Sequence, residues 1–146
     1  MTKNIQKKVD AIKKIFLPLS QEEKYAAVIK FGQELPSLKE EDKTAQNLVA
    51  GCQSILYLQT TSKDGKLYFT AHADALISAG LAALLISVYS GETPEVILTY
   101  KPDFLAEIGI ASSLSLNRSN GLANIHLRMK KDALSALMSQ QKSVEK

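Results

Sequence analysis

The chain has 146 residues, 45% of them hydrophobic and 23% charged, which is ordinary globular usage and excludes a wholly disordered chain. That length is one domain's worth and buries roughly 70% of the unfolded surface, so no metal or disulfide staple is needed, and the single cysteine excludes an internal disulfide or a cysteine-built zinc site. The net charge of +3 divides into +4 over residues 1–16, −5 over 17–116 and +4 over 117–146, with no dense Lys/Arg run among aromatics, which argues against a nucleic-acid partner.

No basic-then-apolar leader opens the sequence, so a reducing cytoplasm is the expected compartment. Ile5, Val9, Ile12 and Phe16 recur at helical spacing and predict a first helix over 3–16, ended by Pro18. Ser20-Gln21-Glu22-Glu23 reads as a capping box that opens a second helix, with Tyr25, Val28, Ile29 and Gly32 facing inward and Pro36 marking the stop. Residues 37–50 form a long polar connection, of a kind that is often functional in a small domain.

The connection runs into Gly51-Cys52-Gln53-Ser54 and then a strand over 55–60. Lys63-Asp64-Gly65-Lys66 signals a hairpin, and residues 67–71 alternate as the return strand, with Leu67, Phe69 and Ala71 on one face. Asp74 stands at a helix-cap position, followed by fifteen uncharged residues, Ala75 to Tyr89. Too short to span a membrane, they predict a central buried helix that Gly91 ends. Thr93-Pro94-Glu95 and Pro102-Asp103 each start a short helix, the second ending near Gly109. A last helix begins near Asn117 or Arg118 and runs to about Gln140, with Leu122, Ile125, Met129, Ala133 and Leu137 as its apolar stripe. Two helices, an antiparallel hairpin and further helices make a single α+β domain over residues 1–146.

Cys52 is the first candidate for chemistry. It follows a long polar loop, precedes a strand, and has Gly51 on one side and Gln53 and Ser54 on the other, a rim setting; an inert core thiol is the alternative. His72 ends the return strand, and His126 reads as a flank residue of the last helix. Cys52, His72 and Asp74 offer too few ligands for a metal site. Arg118 is either a surface charge or a cation that favours a nearby thiolate. No phosphate loop, dinucleotide fingerprint or nucleophile elbow is present.

Glu22-Glu23-Lys24-Tyr25, Gly32, Leu35-Pro36, Glu41-Asp42, Asn47, Val49 and Gly51-Cys52-Gln53-Ser54 resemble the SufE family in order and spacing. The likeness continues through Asp74-Ala75, Gly80-Leu81, Thr93-Pro94 and Arg118-Ser119-Asn120-Gly121-Leu122, and covers roughly residues 20–135. Tyr57 departs from it, where many members carry tryptophan.

The resemblance implies a fold shared with IscU-type scaffolds, a small antiparallel sheet packed by helices. It implies that Cys52 accepts persulfide sulfur from a SufS-type cysteine desulfurase and hands it to an iron–sulfur assembly scaffold, with Gly51, Gln53, Asp74 and Arg118 in support. The pyridoxal phosphate (PLP) belongs to the partner, so no cofactor and no metal is expected here, and a homodimer is compatible with the reading. Three alternatives remain at this stage. They are the acceptor of a related second desulfurase system, an iron–sulfur scaffold, for which one cysteine supplies few ligands, and an interaction domain with a structural cysteine.

Overall fold

Fifteen consecutive residues without a charge cannot lie on a surface, and the fold is arranged around them. In the computed structural model, which describes residues 2–36, 38–51, 54–110 and 116–145 (116–120 and 141–145 as backbone alone), they form helix α3, Leu76–Tyr89. Ten of its fourteen residues are buried. Around it in chain order lie α1 (Lys3–Phe16), α2 (Gln21–Gln33), strands β1 (Leu56–Lys63) and β2 (Lys66–Ala73), α4 (Pro94–Thr99), α5 (Phe104–Glu107) and α6 (Leu116–Glu145). Two short 3₁₀ turns, Glu40–Asp42 and Ala45–Asn47, lie in the connection before β1. This is the α+β arrangement the sequence predicts, with one antiparallel sheet of two strands among the described residues.

Local chemistry sets the element ends. Ser20 accepts from the Glu23 amide at 3.2 Å while the Glu23 carboxylate accepts from the Ser20 amide at 2.9 Å, so the expected capping box opens α2. Asp64 and Gly65 both take positive φ, 54° and 77°, as a two-residue hairpin loop of the twisted-strand type requires. The strands pair from Leu56↔Ala73 to Lys63↔Lys66, extending the expected strands by a few residues. Leu67, Phe69 and Ala71 face the core and Tyr68 faces out. Thr93 caps α4 with Pro94 in its first turn.

A two-stranded ribbon is marginal alone, and β2 gains its stability by lying on α3. On another side α2 approaches α3 to backbone contact. A Cβ on Gly80 would stand 2.1 Å from the Val28 carbonyl oxygen, and one on Gly32 would stand 2.6 Å from the Gly80 nitrogen. Helix α1 buries Ile5, Val9, Ile12 and Phe16, and its Lys8 ammonium reaches the Ser90 carbonyl at 2.8 Å and the buried Glu92 carboxylate at 2.6 Å. Asn4 donates to the same carboxylate at 2.7 Å, so this buried charge is paired and hydrogen-bonded. Helix α6 closes the core with Leu122, Ile125, Met129 and Ala133 and packs on α4, α3 and β1.

Several expectations are corrected. Tyr25 is 45% exposed, because the close α2–α3 approach centres on Val28 and Gly32 and turns Tyr25 outward. Asp74 does not cap α3. The cap position is Ala75, without a side-chain bond, because the β-ladder runs on through the Asp74 amide to the Ile55 carbonyl at 3.2 Å and holds Asp74 one residue short. The connection at 37–50 is not wholly polar, since Leu38 and Val49 are buried. Helix α2 stops at Gln33, three residues before Pro36, and α6 runs beyond Gln140 to Glu145.

His126 is more enclosed than a flank residue. Its ring lies 5.1 Å from that of Tyr89, and its buried Nε2 has no hydrogen-bond partner among the described residues. Burial, helped by the Lys130 charge, pushes its pKa down to about 4. The ring is therefore neutral in the fold while the unfolded chain binds a proton below about 6.5.

Two outcomes follow for stability. Gly80→Ala should destabilise the chain by about 1–3 kcal/mol in denaturant titration, as α2 and α3 are forced apart, while Gly121→Ala, which meets nothing within 4 Å among the described residues, should be neutral or stabilising. Lowering the pH from 7 to 5 should remove about 1 kcal/mol of stability through His126, since solvent reaches part of the ring. His126→Gln should flatten that share of the pH slope, and equal slopes in both proteins would contradict this assignment.

Candidate functional site

Cys52 and Gln53 lie outside the described residues, and so does the side chain of Arg118, whose backbone belongs to the first turn of α6. The site is therefore built from the chain on either side. Before Cys52, residues 48 and 49 add a short third row to the sheet. Leu48 bridges Tyr57, and the Val49 amide donates to the Leu56 carbonyl at 2.9 Å. A turn follows the row, and in it Gly51 takes a φ of 82°, which suits glycine. Its carbonyl accepts from Asn124 Nδ2 at 3.1 Å, and a Cβ at position 51 would stand 2.3 Å from that nitrogen. The backbone at Gly51 therefore runs close against the Asn124 side chain of α6.

After Cys52, the hydroxyls of Ser54 and Ser78 lie 3.0 Å apart, which ties the start of β1 to the first turns of α3. His72 Nε2 and Asp74 Oδ1 are 3.1 Å apart at the exposed end of β2. No group of three or more metal-ligating side chains occurs among the described residues. Ile55 and Leu76 are exposed at the same end of the molecule, beside the Asp74–Ile55 backbone bond.

One set of residues was not picked out by sequence reasoning. Asn124, Arg128 and Asp132 follow one another at four-residue steps along α6, beside the apolar row Ile125, Met129 and Ala133. Arg128 donates through Nη2 to the Gln46 carbonyl at 2.7 Å and through Nη1 to the Leu48 carbonyl at 3.2 Å. Its Nε lies 3.3 Å from Asp132, whose Oδ2 accepts from Thr60 of β1 at 2.6 Å. A polar cleft of about 400 Å³ lies along this edge, lined by Gln46, Asn47, Thr60, Arg128 and Asp132 among others. The available signal was the helical period of the three polar residues; the arginine singled out, Arg118, lies ten residues earlier.

Chemically, the described frame carries a short stretch, 46–51, fastened along α6, followed by the chain's one thiol and then by a strand anchored on α3.

The SufE family model, described as an Fe-S metabolism associated domain, matches residues 10–133. An uncharacterized SufE-like protein of Synechocystis sp. is 36% identical over 117 residues, covering 80% of this chain and 74% of that protein. The sulfur acceptor protein CsdE of Escherichia coli is 34% identical over 116 residues, 77% of this chain and 79% of its own. The cysteine desulfuration protein SufE of Plasmodium falciparum is 31% identical over 135 residues, 89% of this chain but only 53% of the longer relative. The solution structure of a hypothetical protein from Thermus thermophilus superposes with a TM-score of 0.76 at 22% identity, covering 90% of this chain and 96% of that one, and shares the fold. The match over residues 10–133, together with these relatives, shows that the chain belongs to the SufE family.

Proposed function

We propose that this protein is a sulfur acceptor for a PLP-dependent cysteine desulfurase of the SufS type, and that Cys52 carries the sulfur. The observation that carries the reading is family membership combined with a single cysteine, which leaves one residue in the chain able to hold a persulfide. Two relatives are named for the same chemistry, one as a sulfur acceptor and one as a cysteine desulfuration protein.

The transfer is a thiol exchange. The Cys52 thiolate attacks the outer sulfur of the donor's cysteine persulfide, a new sulfur–sulfur bond forms on Cys52, and the bond within the donor persulfide breaks. The donor cysteine leaves as a thiolate, and no net oxidation or reduction occurs. The step requires thiolate character and access. Arg118 supplies positive charge for the thiolate, Gly51 lets the backbone turn close to α6, and Gln53 and Asp74 contribute polar groups around the loop. The PLP remains with the desulfurase, and this chain binds neither cofactor nor metal of its own. From Cys52 the sulfur passes to an iron–sulfur assembly scaffold, in a reducing cytoplasm where a persulfide has to be sheltered from thiols.

The similarity to CsdE supports a second reading of the same type, in which the donor is the desulfurase of a related second system. Side-by-side stimulation of the two desulfurases separates them, the true donor being the one accelerated at the lower acceptor concentration.

Cys52→Ser should leave the thermal midpoint unchanged and return cysteine turnover to the rate of the desulfurase alone. A serine variant that still accelerates sulfur release would overturn the reading.

A further inference from the structure

The stretch before Cys52 is held by side chains of α6 whose bonds differ in kind. Asn124 contributes one neutral hydrogen bond, at 3.1 Å, to Gly51. Arg128 contributes two bonds from a charged donor, to Gln46 and Leu48, and its third edge is braced by Asp132, itself held by Thr60. Charge-assisted bonds are the stronger class, and a guanidinium is the one side chain that can serve two carbonyls and a carboxylate at once through a rigid planar fork. One carbonyl lies within the 3₁₀ turn Ala45–Asn47 and the other directly after it, where the long connection joins the sheet.

We propose that Arg128 is a positioning residue for sulfur acceptance: by fastening the Gln46 and Leu48 carbonyls to α6 it fixes the point from which the Cys52 loop leaves the sheet. This rests on the reading of Cys52 as the acceptor thiol. It assigns the two contacts unequal work. Arg128 holds the foot of the loop in place, while the single Asn124 bond at Gly51, next to Cys52, is the one that can yield without disturbing the foot. With the foot fixed, Gln46 and Leu48 keep one position relative to α6, so the chain enters the segment that bears Cys52 from a single defined point, which favours productive transfer geometry. With the foot released, that point of entry is no longer fixed through the 3₁₀ turn, and the productive geometry is reached less often. The loss therefore falls on the rate within the complex with the donor, not on the assembly of that complex.

A lysine at 128 keeps the charge but has a compact ammonium in place of the rigid planar fork, so it cannot meet both carbonyls and the Asp132 carboxylate in the geometry the guanidinium gives. A role limited to bulk stability would not distinguish lysine from alanine by transfer rate at equal folded fraction.

The test uses the full chain as wild type, Arg128→Ala, Arg128→Lys and Cys52→Ser. Amide hydrogen exchange is measured on the acceptor alone, and stimulation of a SufS-type desulfurase is measured against acceptor concentration. In Arg128→Ala, exchange at Leu48 and Val49 should rise at least tenfold while the β1–β2 ladder keeps its protection. The maximal transfer rate should fall about tenfold, the half-saturating acceptor concentration should stay within twofold, and Arg128→Lys should fall between. Unchanged exchange at Leu48 and Val49 overturns the proposal, and so does a wild-type maximal rate in the alanine variant. A change confined to the half-saturating concentration also overturns it, because it makes Arg128 a docking contact. Failure of the underlying reading shows separately, as Cys52→Ser matching wild type, and the exchange measurement then still decides whether Arg128 fixes the stretch.

Discussion

The structure depends on covering one helix. Ala75 to Tyr89 carries no charge, and α3 can be stable in water only if neighbours enclose it on nearly every side. Helix α2 does so at backbone distance through Gly32 and Gly80, β2 through Leu67, Phe69 and Ala71, α1 through its four buried apolar residues, and α6 through the row from Leu122 to Ala133. Each covering element is amphipathic for this reason. The small sheet is a consequence of that enclosure, since two strands would not persist without a helix beneath them.

Covering α3 also places the site. Helix α6 lies with its apolar row against the core, and the rotation that buries Ile125 and Met129 brings Asn124, Arg128 and Asp132 to the edge beside β1. From there they meet the backbone that leads to Cys52. A sulfur carrier has to meet two opposed demands, shelter for a reactive persulfide and reach toward a donor and a recipient. On the reading proposed above, the charged clamp at residues 46 and 48 and the weaker neutral bond at Gly51 divide these demands between a fixed foot and a contact that can yield.

Much of this was legible in the sequence. The apolar period of α1, the capping box at Ser20, the Asp64-Gly65 turn, the uncharged α3 and the inner face of α6 all arise from local patterns, and local patterns are what a sequence displays directly. The misses share a cause. Asp74 was displaced from its expected cap by a ladder bond to Ile55, Tyr25 was turned outward by the glycine contact between two helices, and His126 was enclosed against Tyr89. Each outcome is set by a partner distant in the chain. Arg128 belongs with them, because its role depends on carbonyls about eighty residues away that no spacing rule connects to it.

The central claim is that one thiol holds a sulfur atom in transit. Its most direct test is peptide mass spectrometry after brief incubation with a SufS-type desulfurase and L-cysteine, with thiols blocked at the end. The account expects the peptide bearing Cys52 to gain the mass of one sulfur atom, reversibly on reduction. An unchanged peptide mass while the desulfurase is turning over would contradict it.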